Sequence, residues 1–376
     1  MKRLAVVAML CVCLGAFAED APAPIDPRLS ADDDAYMNRQ AEALLAEVDD
    51  TLGRVLPQLP EPAERRLALR VMDGVVHDAY VAARPAAQDF YHKRMERAIA
   101  AMESTKVDEG ATIWKLYNHG FVVRTATVTV GFDLQRGARG SRVVSPTGDK
   151  SGAAAPGFPI PDALADRLVK QCDVLFVSHK HGDHLDPYVV QAFLDQGKPV
   201  VTPPDALEGS PLYERITHLK REVDLEQTLP LQGGAQKLKV VVFPGQQYQN
   251  GGPMCNVVLV TTPEGLSFVH TGDQINDPYP DYQKDFEWID KVKDHHKVDV
   301  LMVNCWTNDI LRTARGFDPK LVVPGHENEL GHPVWDRIPY WGDTKYINSN
   351  YLEMKKAYPT LVMTWGESYH YTQAAK

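Results

Sequence analysis

Positive charge is in short supply: 40 Lys and Arg stand against 50 Asp and Glu, a formal charge of −10 over 376 residues. A nucleic-acid partner is held largely by phosphate neutralisation along a basic stripe, and no such stripe is visible, so that class is excluded. Cysteine is scarce too, at five, of which Cys11 and Cys13 fall within the first eighteen residues. The other three, Cys172, Cys255 and Cys305, are odd in number, far apart and set among apolar neighbours. That pattern excludes a disulfide framework and reads as small buried hydrophobes. The 27 Pro and 26 Gly follow no period, which removes collagen-like and low-complexity readings. What is there, 44 % hydrophobic and 24 % charged residues, is the composition of an ordinary globular protein, long enough for one large domain with an addition or for two domains.

A long apolar run is also missing. The one at the amino terminus, Leu4 to Phe17, is short for a membrane span. Lys2 and Arg3 precede it and Ala16-Phe17-Ala18 closes it, the layout of a cleaved secretory signal. Cys11 and Cys13 lack the preceding small residue that lipoprotein processing needs. The expectation is a soluble, exported chain, periplasmic or secreted, whose mature form begins at Glu19.

Residues 19–30 read as a Pro- and Ala-rich linker, and 31–108 as a helical region. Three apolar patterns at spacings of three and four carry it: Leu44 to Leu56, Leu67 to Val76, and Tyr91 to Met102. From about 109 to 376 the pattern changes to short β-rich runs separated by turns and helices, predicting a mixed α/β or α+β layer arrangement. Ile113 to Arg124 and Thr125 to Leu134 are expected to be two strands, and Glu214 to Lys220 a charged helical stretch carrying His218. The Gly-, Ser- and Pro-rich segment from Gln135 to Phe158 has the length of a lid.

The chemistry concentrates at strand ends. Val174 to Ser178, apolar or small, delivers His179-Lys180-His181-Gly182-Asp183-His184-Leu185-Asp186. Three imidazoles and two carboxylates in eight residues are too costly for core packing and are the donor types of zinc, iron or manganese. His179 and His181 can reach one cation from a turn, while Asp183 and His184 point elsewhere and can hold a second. Two further apolar strands end in the same way, at His270-Thr271-Gly272-Asp273 and at Pro324-Gly325-His326.

His-x-His-x-Asp-His, then Gly-Asp, then Gly-His, resembles the metallo-β-lactamase-fold hydrolases over residues 110–340, with Leu185-Asp186 closer to the lactonase and N-acyl-phosphatidylethanolamine phospholipase branches. The resemblance implies a four-layer αβ/βα sandwich with a metal cleft along one edge. It implies His179 and His181 as ligands of a first metal, Asp183, His184 and His326 as ligands of a second, and Asp273 as the bridging carboxylate. Asn118-His119-Gly120 resembles the family's early Gly-His element or is a satisfied histidine near a turn. The family's third first-metal histidine is absent: between 184 and 270 the only histidine is His218, and the strand Leu238 to Phe243 leads to Pro244-Gly245-Gln246-Gln247. Gln246 is expected at that position, as a weak amide ligand. His332, His370, Glu327, Glu329 and Glu367 carry no assignment, and the aromatic residues Trp306, Tyr340, Trp341, Trp365 and Tyr371 are core or cleft wall.

The implied function is hydrolysis of a small ester, lactone, phosphodiester or amide by a metal-activated water, with Asp183 and Asp273 orienting it and moving its proton. The implied cofactor is Zn2+, one or two ions, with Fe or Mn as alternatives. The competing reading, motivated by Gln246, is a degenerate member that binds metal or ligand without turnover.

Overall fold

The computed structural model describes residues 29–76, 85–137, 158–234, 236–247, 252–274, 286–305, 307, 309–327 and 350–373. The secretory signal, most of the linker, most of the lid-length segment, and His77, Trp306, Glu329, His332, Tyr340 and Trp341 lie outside these residues.

Among the described residues three helices come first: α1 (Ala31–Arg54), α2 (Ala63–Val76) and α3 (Pro85–Ser104). Ser30 starts α1 by accepting the Asp33 backbone N–H while the Asp33 side chain returns to the Ser30 backbone, which satisfies two otherwise orphaned donors. Leu45, Val48 and Leu52 of α1 are buried, but Leu44, Leu56 and Leu67, which the apolar spacing also includes, are exposed.

Among the described residues twelve strands form two six-stranded sheets. The first runs β12 (Glu367–Tyr371), β1 (Ala111–Lys115), β2 (Phe121–Arg124), β3 (Thr129–Phe132), β4 (Val174–Phe176), β5 (Val200–Val201). The second runs β11 (Leu321–Gly325), β10 (Val300–Asn304), β9 (Ser267–His270), β8 (Met254–Thr261), β7 (Lys237–Gln246), β6 (Gln227–Pro230). Each sheet joins three parallel strands, β3-β4-β5 and β9-β10-β11, to antiparallel neighbours. The span from Ile113 to Arg124 is thus two strands, not one. Asn118, at φ 52°, and Gly120 break it, and the Gly120 N–H closes on the Tyr117 carbonyl at 2.8 Å.

The layers follow from the alternation of side chains along each strand. Ile113, Phe121, Val123 and Phe132 pack with Val240, Val258, Val300 and Met302 in a core between the sheets. Their neighbours Trp114, Val122, Leu301 and Val303 face outward into a second core shared with the helices. Helices α3, α4 (Asp162–Gln171) and α5 (Pro187–Asp195) cover the first sheet, and α6 (Val292–His295), α7 (Ile310–Phe317) and α8 (Tyr351–Ala357) the second. The αβ/βα layering expected from the motif is therefore present. Tyr91, Met95 and Ile99 of α3 belong to the same core as Trp114 and Trp365, so the amino-terminal helices build on the first sheet's outer face.

The stretch around His218 is not a helix. Only Tyr213–Arg215 turns, as a single 3-10 turn, and His218 follows it exposed, its ring beside Tyr213. Its charged residues alternate too little apolar surface to bury a helical face; Ile216 is the buried residue there. Cys172, Cys255 and Cys305 are buried thiols outside any disulfide among the described residues, and no described helix is long and apolar enough to cross a membrane.

Candidate metal centre

The carboxyl ends of the parallel strands of both sheets meet along one edge, the place where open α/β sheets bind ligands. Asp133 follows β3, Ser178 and His179 follow β4, Asp273 follows β9, Asn304 ends β10 and His326 follows β11. The sheets are stitched there by the Asn256 N–H on the Ser178 carbonyl at 2.8 Å and the His326 N–H on the Asn118 carbonyl at 3.2 Å. Asn118, Asp133 and His326 have φ of 52°, 44° and 69°, backbone that L-residues rarely adopt and that clusters at functional sites. Gly272 shares that conformation at φ +52°, and a Cβ there would lie 2.3 Å from the Ser178 Cβ, so only glycine allows Asp273 this close to β4.

Four donors converge. His184 Nε2 lies 3.2 Å from Asp183 Oδ2 and 3.2 Å from Asp273 Oδ1. His326 Nε2 lies 3.3 Å from Asp183 Oδ2, 3.1 Å from Asp273 Oδ1 and 3.1 Å from His184 Nε2. His184 and Asp273 are buried, His326 nearly so, and the Asp183 side chain keeps 24 % exposure, so it is the face of the cluster that meets solvent. These are the ligand types and spacing of a metal cage.

The supporting shell fixes which nitrogen points inward. Asp133, fully buried, accepts from the Ser178 N–H and the Ser178 hydroxyl at 2.6 Å each, and from His184 Nδ1 at 2.6 Å. His184 Nδ1 therefore carries a proton, and Nε2 is the nitrogen turned towards Asp183, Asp273 and His326. This carboxylate–imidazole arrangement orients metal-ligating histidines. With its own hydrogen given to Asp133, the Ser178 hydroxyl accepts from His179 Nδ1 at 3.0 Å. His179 Nε2 is then bare, buried and without a hydrogen-bond partner among the described residues, 3.6 Å from Asp273 Oδ2. Asp273 is held by Asn304 Nδ2 on Oδ1 at 3.0 Å and Gln247 Nε2 on Oδ2 at 2.9 Å, and Asp183 by Asn118 Nδ2 on Oδ2 at 3.2 Å.

Charge follows this geometry. Burial alone would raise the acids, yet His184 first among their neighbours holds Asp183 and Asp273 well below the ordinary carboxylate range. Burial opposes protonation of His184 and His326, but Asp273 and its neighbours outweigh it, lifting His184 well above its ordinary value and His326 to about 9. Without a cation the cluster thus holds protons between its carboxylates. His179 goes the other way: burial, then His184, press it down to about 3, and it stays neutral.

The sequence-derived residues divide as follows. Asp183, His184, Asp273 and His326 are brought into one cluster. His179 flanks it through Asp273 Oδ2, and the half-buried His181 lies with its ring centroid 4.8 Å from that of His179. Gln246 is corrected: its backbone N–H bonds Gln274 Oε1, and it is Gln247 whose amide reaches Asp273. Successive residues of extended chain face opposite sides, and the register selects the second glutamine. His119 is fully buried, its ring 4.1 Å from that of His270, with neither nitrogen hydrogen-bonded among the described residues. It groups with Asp133 and His184, but the Asp133 oxygens are already engaged. His270 donates from Nε2 to the His119 carbonyl at 2.9 Å and accepts the Gly272 N–H at Nδ1, so it is part of the floor. Asp186 caps α5 through the Tyr188 N–H and pairs with Arg136 at 3.0 Å. Glu367 pairs with Arg65, Glu327 with buried Lys115 at 3.3 Å, and exposed His370 bonds Thr112.

Asp133, Ser178, Asn304 and Gln247 were not singled out from the sequence. A usable signal existed for Asp133: Val128 to Phe132 is another apolar run ending in an acid, the pattern of β9 and Asp273.

No protein-family model and no curated protein matches the chain. Solved structures do resemble it. A metallo hydrolase from the hyperthermophilic archaeon Ignicoccus hospitalis is 12 % identical, covers 70 % of this chain and 99 % of its own, and gives a TM-score of 0.46. A possible metal-dependent hydrolase from Veillonella parvula gives 14 %, 70 % and 100 %, and 0.47. An isothiocyanate hydrolase from Delia radicum gut bacteria gives 16 %, 70 % and 100 %, and 0.45. The likeness is to these solved structures, at 12 to 16 % identity and TM-scores of 0.45 to 0.47.

Proposed function

We propose that this chain is an exported metal-dependent hydrolase acting on a small ester, lactone, phosphodiester or amide. The observation that carries the reading is the convergence of Asp183, His184, Asp273 and His326 at a partly open strand-end edge, each imidazole Nε2 lying 3.1 to 3.3 Å from an oxygen of both carboxylates. Two carboxylates and two imidazoles fit a borderline dication, zinc first, with iron or manganese as alternatives. When bound there, such an ion acidifies water and polarises the oxygen of a scissile bond. The chain's own residues do the rest. Asp133 keeps His184 in the tautomer that points Nε2 inward, and Asn304 and Gln247 fix the Asp273 carboxylate. Asp183, ionised and the most exposed of the four, orients a water at the open side and takes its proton. The non-catalytic binding reading rested on a missing histidine, and the four-residue cluster is complete without it.

Export is part of the proposal on the strength of Lys2, Arg3 and the Ala16-Phe17-Ala18 site. The test is a panel of chromogenic esters, lactones, phosphodiesters and amides offered to the zinc-loaded protein, alongside Asp183→Asn. Turnover of one class, abolished by chelation and in the variant, is the expected result. Tight metal binding with no turnover of any class would return the binding reading.

A further inference from the structure

We propose that this centre holds one metal ion, in the Asp183–His184–Asp273–His326 cage, and that Gln247 keeps a second ion from settling beside His179 and His181. The inference rests on the cage described above and concerns how many ions it serves.

The two halves of the centre are unequally equipped. The cage has two carboxylates to neutralise a dication and two imidazole Nε2 atoms facing them. The neighbouring half has His179, with its bare Nε2, and His181 close by. Among the described residues, the carboxylate paired with His179 is Asp273, its Oδ2 3.6 Å from His179 Nε2. That oxygen already accepts the Gln247 amide hydrogen at 2.9 Å. The amide is oriented by chemistry: turned over, it would set its carbonyl oxygen against a carboxylate oxygen. Gln247 therefore directs an N–H, not a lone pair, at the one atom that two ions would have to share. A second dication there would gain two imidazoles, meet an N–H on the Asp273 oxygen that faces His179 and face the first ion's charge. Gln247 is itself buried at 6 % exposure, and its Oε1 has no hydrogen-bond partner among the described residues. Among the described residues its side chain is held by Asp273, so it can give way to a stronger donor at that position.

The experiment is metal analysis of the purified full chain after zinc saturation and dialysis, repeated with Mn2+ so that paramagnetic resonance reports whether bound ions are coupled. The native chain is expected to keep one zinc and an uncoupled manganese signal. His179→Ala should still keep one ion, because that residue stands outside the cage, and His184→Ala should keep none. Gln247→His, which replaces the N–H by an imidazole, should raise the count to two with a coupled signal. Two tightly held ions in the native chain would overturn the inference while leaving the hydrolase reading intact. So would loss of the single ion in His179→Ala, or a folded Gln247→His still holding one. No retained metal in the native chain would overturn the cage, and the functional reading with it.

Discussion

Two regions of buried charge in this molecule are settled in opposite ways. Where the amino-terminal helices meet β12, Arg65 of α2 is fully buried and grips both oxygens of Glu367, with Nη1 on Oε1 at 2.7 Å, and also donates to the Val55 and Val362 carbonyls at 3.1 Å. Arg94 of α3 adds Nε on the Trp365 carbonyl and Nη1 on Asp49 at 2.8 Å. Cations and anions alternate, and each carboxylate there has its guanidinium. At the strand-end edge, the described partners of Asp183 and Asp273 are imidazoles and amides, with no described Lys or Arg paired to either. Closed networks of the first kind hold a fold together; open ones of the second kind hold something else. The difference is between a structural charge cluster and a binding one.

The comparison breaks most visibly at Glu367. Glu367→Ala leaves Arg65 as an uncompensated buried charge, and losing one partner of such a pair costs about 3–5 kcal/mol. A denaturant midpoint lowered accordingly, with an unchanged metal count per folded chain, is the expected outcome. Asp133→Ala should do the reverse. It removes the acceptor for His184 Nδ1 and for Ser178, so metal affinity should fall about 10–100-fold, measured by competition with a chelator. Its effect on stability, from unmet donors, should be about 1–3 kcal/mol.

Protons sharpen the same contrast. His184 and His326 have raised pKa values in the metal-free cluster, so their contribution to stability is fully present below the ordinary histidine value and lost as pH rises through the folded value, about 9 for His326. A metal ion must displace those protons. Zinc affinity should therefore climb with pH until about 9, while the metal-free protein loses part of its stability over the same range. Titration calorimetry in buffers of different ionisation enthalpy reads the released protons directly. An affinity independent of pH would mean the imidazoles are not ligands. The smallest effect is expected at His218→Ala, an exposed side chain outside both regions, with stability changed by less than about 0.5 kcal/mol and metal content unaltered.

What was legible in the sequence depended on local density. His179 to His184 stood out because three imidazoles at one strand end have no cheap packing explanation, and Asp273 and His326 because each follows an apolar strand and a glycine. Asp133 gave a weaker signal: one acid at the end of an apolar run makes no cluster, and its partners lie 45 and 51 residues away. The choice between Gln246 and Gln247 turned on strand register, which alternation along one chain does not set. Glu367 and Arg65 were illegible as a pair for a similar reason, being 302 residues apart and joined only when α2 packs against β12. Apolar spacing located all three amino-terminal helices, yet it counted Leu44, Leu56 and Leu67 as core where the packing leaves them exposed.

The central claim is that the strand-end cluster is built around a cation. Thermal unfolding of the full chain with zinc and with chelator, compared with the same pair of scans on Asp273→Ala, tests it most directly. A ligand that binds only the folded state stabilises it by mass action, by about 4 kcal/mol when free ligand exceeds Kd a thousandfold. The native chain should melt several degrees higher with zinc than with chelator, and Asp273→Ala should show no difference between the two. Equal melting of the native chain under both conditions, or the same zinc-dependent gain in Asp273→Ala, would contradict the account.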